Sequence, residues 1–176
     1  MPPALWGFRL RRQAGQGWIE LPVAIALQGE VWTTGGTSGA GLAVRCGGSG
    51  DVTETRRIWH APRTPARIGT SVVYQGYIYT VAINGVAECL ELATGKPLWT
   101  QRLAGKQGNN AIWSSPLRNA DRLYVMNQSG DTFVYRASPQ FELLATNALE
   151  EETNSSVVAS GGAIFLRTHQ SLWCIA

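Results

Sequence analysis

The chain has 176 residues and a mass of 19.0 kDa, long enough for one good hydrophobic core or one and a half small ones, and its 44% apolar and 15% charged residues exclude a disordered chain. Its net charge of +3 is uneven: eight arginines face four acids in residues 1–67, and seven basic groups face eight acids in residues 68–176. Basic residues are not clustered as a nucleic-acid footprint requires, and no run of 18 apolar residues is present to make a membrane span.

In chain order, residues 1–18 match nothing that follows. They read as a basic arm carrying Arg9, Arg11 and Arg12, or as an artefact of the assigned start. MPPALWGFRLRRQAG lacks the apolar centre of a secretory signal, which leaves an intracellular protein or a missing true start. From residue 22 a grammar repeats. A β-prone run, a small or polar turn and an aliphatic–aromatic pair occur in 22–32, 71–79, 115–124 and 156–165. The pairs begin at Val31, Ile78, Leu123 and Ile164, at spacings of 47, 45 and 41 residues.

A second β-prone segment follows each pair: Leu42–Arg45, Cys89–Glu91, Phe133–Arg136 and Trp173–Ala176. Turns between the two fall at Gly35–Gly41, Asn84-Gly85, Ser129-Gly130-Asp131 and His169-Gln170-Ser171. A third run closes the first three units at Arg57–Trp59, Leu98–Thr100 and Leu143–Ala145. Phe141–Glu152 is rich in helix formers, but the repeat register makes it a strand running into an acidic loop. Twisted sheets of this size bury both faces only by stacking on one another, and units of 40 to 50 residues have propeller-blade spacing.

Within Cys89–Leu103, CLELATGKPLWTQRL, the Gly95-Lys96 pair raises the question of a phosphate loop. Such a loop needs an earlier glycine and a hydroxyl after the lysine; Val86–Leu90 holds no glycine and Pro97 follows Lys96. The pair is therefore read as a tight turn. The segment resembles the signature of the PQQ-like (pyrroloquinoline-quinone-type) β-propeller repeat. The resemblance implies that Thr94 and Gly95 turn the third strand into the fourth, that Lys96 completes the Thr-Gly-Lys signature, that Glu91 stands where Asp is usual, and that Trp99 plugs the space between blades. It extends over most of residues 22–176, including the loop-like Leu42–Thr53, and only the second unit carries the full signature. The third has Ala137-Ser138-Pro139 in place of Ala-Thr-Gly, and the last stops after its third strand.

The expected fold is all-β: a β-propeller of four-stranded antiparallel blades, with about four blades near 22–59, 67–103, 112–149 and 153–176. The resemblance implies a ring of about eight, so the chain is expected to be the C-terminal half of a longer protein. Family quinoproteins hold their cofactor through Ca²⁺ and, in many, adjacent cysteines; Cys46, Cys89 and Cys174 are not adjacent and lack metal-ligand spacing. Cys89 and Cys174 occupy similar repeat positions and are expected to be buried, inert thiols. The Gly35–Gly41 cluster is read as a hairpin loop, because a dinucleotide fingerprint must open a helix. His60 and His169 stand without nearby acids, Asn127 and Asn154 lie in glycosylation patterns, and Glu150–Glu152 make an acidic loop.

The functional expectation is a non-catalytic module that binds another protein, similar in kind to the BamB-like outer-membrane assembly lipoproteins, with no catalytic, cofactor or metal residue and an extracytoplasmic location by resemblance. A second copy is the other expected partner, as a dimer of half-rings. The alternative is half of a PQQ-dependent dehydrogenase, with PQQ and Ca²⁺ held by residues in the missing half. A truncated gene without function is the third reading.

Overall fold

The computed structural model describes residues 6–7, 25–27, 29–33, 41–62, 64–106, 108 and 110–176, and no helix occurs among them. A two-residue strand, β1 (Trp6–Gly7), precedes the first blade: β2 (Ile25–Leu27), β3 (Glu30–Thr33), β4 (Gly41–Arg45) and, after the short β5 (Gly50–Asp51), β6 (Arg57–Ala61). The second blade is β7 (Val72–Tyr74), β8 (Tyr77–Val81), β9 (Val86–Glu91) and β10 (Pro97–Arg102). The third is β11 (Leu117–Asn119), β12 (Arg122–Met126), β13 (Asp131–Arg136) and β14 (Leu143–Ala148). The fourth has β15 (Val158–Ser160), β16 (Ala163–Arg167) and β17 (Leu172–Ile175), with no fourth strand among the described residues. Each blade is an antiparallel meander.

The repeat grammar becomes a fixed register. The aromatic of each pair lies opposite a third-strand residue: Trp32 opposite Ala43, Tyr79 opposite Cys89, Tyr124 opposite Val134 and Phe165 opposite Cys174. On the far side Ala43 meets Trp59, Cys89 meets Trp99, and Val134 meets Ala145. A bulge interrupts the third-to-fourth strand pairing at the same place in all three complete blades. A bulge bends and twists a strand, so its recurrence gives each blade the same outer twist.

Alternation along the strands then makes two apolar faces per blade, and the blades stack through them. Trp32 and Ala43 of the first blade pack with Ile78 and Leu90 of the second. Tyr79, Ala87 and Cys89 pack with Leu123, Phe133 and Tyr135 of the third, and Met126 packs with Val157 and Leu166 of the fourth. Cys174 departs from expectation: it is exposed, because no further sheet among the described residues covers its side of the fourth blade, whereas Cys89 is buried. Asn127 is also buried, bonded to Asp131 through its side chain, which removes it as a glycan acceptor. The Gly35–Gly41 loop lies mostly outside the described residues, as do most of residues 1–18.

The first hairpin of each blade turns through the left-handed region. Gln75 and Gly76 have φ of 50° and 82°, and Gly161 and Gly162 have 56° and 84°. In the third blade the position falls to Ala120, at φ 51°. An L side chain there is strained by roughly 1 kcal/mol. Ala120→Gly is expected to raise stability by up to about 1 kcal/mol, or roughly 2–4 °C in Tm; a lower Tm would show that the turn carries no strain.

Candidate functional site

The signature segment forms the link between β9 and β10. The Thr94 hydroxyl donates to the Glu91 carboxylate at 2.6 Å, the Gly95 amide donates to the Glu91 carbonyl at 2.8 Å, and the Lys96 amide donates to the Thr94 hydroxyl at 3.2 Å. Gly95 sits at φ +69°, and a Cβ there would lie 2.7 Å from the ring of Trp59, so this turn accepts only glycine without rearrangement. Trp59 in turn donates its indole N–H to the Leu92 carbonyl at 2.8 Å. Trp99 repeats the contact one blade on, donating to the Ser138 carbonyl at 3.0 Å and packing edge-on against Tyr135 and Phe141. Each tryptophan thus ties the fourth strand of one blade to the third-to-fourth turn of the next. These residues clamp sheets together and present no reactive constellation.

The opposite ends of the blades carry the second-to-third turns and the linkers between blades, and here the backbone forms a continuous relay. Ile83 N–H donates to Ala66, Ile112 N–H to Ile83, Gln128 N–H to Ala111, Thr153 N–H to Gln128, and His169 N–H to Glu152, all at 2.8–3.0 Å. A parallel set runs through hydroxyls: Thr70 N–H donates to Ser115 Oγ and Ser115 N–H to Ser156 Oγ, each at 2.9 Å. The linkers are close enough that a Cβ on Gly69 would lie 2.4 Å from the Ser114 carbonyl oxygen. These bonds satisfy backbone groups of the irregular linkers and tie each described linker segment to its neighbour.

Two grooves open on that face. One, of about 510 Å³, is lined by Pro65, Ala66, Ile83, Asn84, Asn110 and Ala111; the other, of about 240 Å³, by Gln128, Glu152, Thr153, Asn154 and His169. Ile68 and Trp113 hold equivalent positions in successive linkers and are 43% and 42% exposed. Beside the second groove, the Thr168 hydroxyl donates to Glu151, which together with Ser171 lowers the carboxyl pKa.

Beneath the linkers lies a pair that the sequence reading did not single out. Arg67 and Glu88 form an ion pair with side chains 1% and 11% exposed, and Arg67 also donates to the Pro65 carbonyl at 3.0 Å. Its Nε has no partner among the described residues. Burial lowers the Arg67 pKa, and the Glu88 carboxylate opposes that shift. The equivalent positions one blade on are Ile112 and Phe133, both in the apolar core. The signal available in the sequence was a glutamate in a strand where the neighbouring repeats place leucine, phenylalanine and tryptophan. Deep in the adjoining interface, desolvation pushes the Cys89 thiol up to about 11, which keeps it protonated and inert.

Among the described residues, three four-stranded meanders and a fourth of three strands, stacked face to face through equivalent residues, define a β-propeller repeat protein. The chain belongs to the PQQ-like repeat family described as outer membrane protein assembly factor BamB, whose model matches residues 51–176. Among solved structures, BamB from Moraxella catarrhalis superposes with a TM-score of 0.63 at 13% identity, over 86% of this chain and 46% of that one. The computationally designed Ika4 protein gives 0.65 at 10% identity over the whole of both chains. The quinohemoprotein alcohol dehydrogenase of Comamonas testosteroni gives 0.57 at 19% identity, over 72% of this chain and 21% of that one. At these identities the likeness is one of fold, and this chain spans about half the length of the BamB it matches. No curated protein sequence matches it. No helix among the described residues is long and apolar enough to cross a membrane.

Proposed function

We propose that the chain is a non-catalytic interaction scaffold of the BamB kind, which binds another protein through its linker face. The observation that carries this reading is the exposed pair Ile68 and Trp113 on neighbouring linkers that the backbone relay ties together. Aromatic and aliphatic anchors on a preformed surface, beside an apolar groove rimmed by Asn84 and Asn110, are the composition from which binding hot spots are built. Membership of a family described by outer-membrane assembly supports an extracytoplasmic setting.

The dehydrogenase reading rests on fold likeness alone.

The test is co-purification from cross-linked native extract with the wild-type chain and with Ile68→Glu/Trp113→Glu. Both side chains are more than two-fifths exposed, so the variant is expected to stay folded, which its circular dichroism checks before recovery is compared. Partner recovery is expected to fall at least about tenfold, as for loss of a single hot spot. Equal recovery with both chains, or nothing above background with either, would remove the reading.

A further inference from the structure

The two grooves of the linker face adjoin. Gln128, in the wall of the second, donates its backbone N–H to the carbonyl of Ala111, in the wall of the first, at 2.8 Å. Gln128 in turn accepts from the Thr153 N–H at 3.0 Å. Two hydrogen-bonded steps therefore lead from one lining to the other. At the roughly 4.8 Å between strands joined in this way they span about 10 Å, the reach of about three residues of extended chain.

The two linings differ in chemistry. Pro65, Ala66, Ile83 and Ala111 make the first apolar, and Asn84 and Asn110 stand at its rim. The Asn84 Oδ1 accepts from the Val86 N–H at 3.3 Å, and the Asn110 Oδ1 accepts from the Gly105 N–H at 2.8 Å. With its oxygen held by its own segment, each carboxamide has a set orientation, and neither Nδ2 has a partner among the described residues. Two oriented donors at the edge of an apolar groove suit a peptide that offers its carbonyls to them and lays an apolar side chain below.

Charge orients such a segment. The second groove is lined by Glu152, with Glu150 two residues before it, and both are exposed. The Thr168 and Ser171 hydroxyls engage Glu151 between them. Glu150 and Glu152 enter no ion pair among the described residues, and the exposed Arg167 of β16 pairs with neither. At the other end Arg102 donates to the Asn84 carbonyl at 2.8 Å. The track thus has a positive end beside the apolar groove and a negative end in the polar one.

We propose that the two grooves form one site for an extended segment of the partner, with an apolar side chain in the first groove, backbone carbonyls on the Nδ2 groups of Asn84 and Asn110, and a lysine or arginine about three residues away at Glu152. Arg102 disfavours a basic side chain at the apolar end, and the uncompensated carboxylates favour it at the other. The site rests on the reading of the linker face as a binding surface and names the chemistry of what binds there.

The probes are short fluorescein-labelled peptides in which Leu-Ile and Lys-Arg are separated by two serines, made in both orders, and the same peptides with Gln-Gln for Lys-Arg. By fluorescence anisotropy, one order of the basic peptide is expected to bind the full chain saturably below about 1 mM. It is expected to bind roughly fivefold or more tighter than its neutral counterpart at low salt, a margin that closes at about 0.5 M salt. Glu150→Gln/Glu152→Gln is expected to bring the basic peptide down to the neutral one and to leave the neutral one unchanged. In ¹⁵N spectra the side-chain Nδ2 signals of Asn84 and Asn110 are expected to move on titration, while the amides of Leu92 and Ser138 stay. No saturable binding in either order, equal binding of basic and neutral peptides, or binding that leaves the Asn84 and Asn110 signals in place overturns the site. A chain that loses its partner through Ile68→Glu/Trp113→Glu yet fails these peptide tests keeps the interaction reading and loses only this one.

Discussion

Arg67→Met is expected to destabilise the chain by about 3–5 kcal/mol, because it leaves Glu88 charged and nearly buried with no counter-ion. The double substitution Arg67→Met/Glu88→Leu is expected to return to within about 1 kcal/mol of wild type, or to exceed it, since a buried ion pair repays its desolvation poorly against apolar groups of similar volume. The third blade supplies the precedent within the same chain: its equivalent positions are Ile112 and Phe133, and both sit in the core. Urea unfolding midpoints of the two singles and the double close a double-mutant cycle. A double variant as unstable as the worse single would mean that the charges hold something other than each other.

Trp99→Ala carries the second large effect, about 3–5 kcal/mol. The indole fills the gap between the second and third blades, touching Tyr79, Tyr135 and Phe141, and its N–H satisfies the Ser138 carbonyl. Trp99→Phe should keep most of the apolar contact and lose the hydrogen bond, for about 1 kcal/mol. Unfolding of the three proteins followed by tryptophan fluorescence and by circular dichroism checks both figures. A loss below about 1 kcal/mol for Trp99→Ala would show that the indole does not hold the blades together.

The second blade was the most legible part of the sequence, since a glycine that must turn at positive φ and a tryptophan that must reach the next sheet both leave a fixed residue at a fixed spacing. The strand from Leu143 to Ala148 was legible only through register, because Leu143, Leu144 and Ala145 suit a helix equally well. The backbone relay across the linkers was illegible: amide and carbonyl groups are the same in every residue, and only the hydroxyls of Ser115 and Ser156 that accept from the neighbouring linker leave a mark. Arg67 was not singled out in the sequence because its partner lies 21 residues away in a strand. Cys174 was misplaced for a related reason. Its repeat position matches that of Cys89, but burial there depends on the sheet that comes next, and sequence position alone does not supply one.

The measurement that bears most directly on the linker face as a binding surface is hydrogen–deuterium exchange of the full chain, alone and with a partner captured by it. Slowed exchange confined to residues 64–70, 83–85 and 110–114, with the third-to-fourth turns near Leu92 and Ser138 unchanged, is the predicted result. Protection at those turns, with residues 64–70 and 110–114 exchanging as in the free chain, would contradict it.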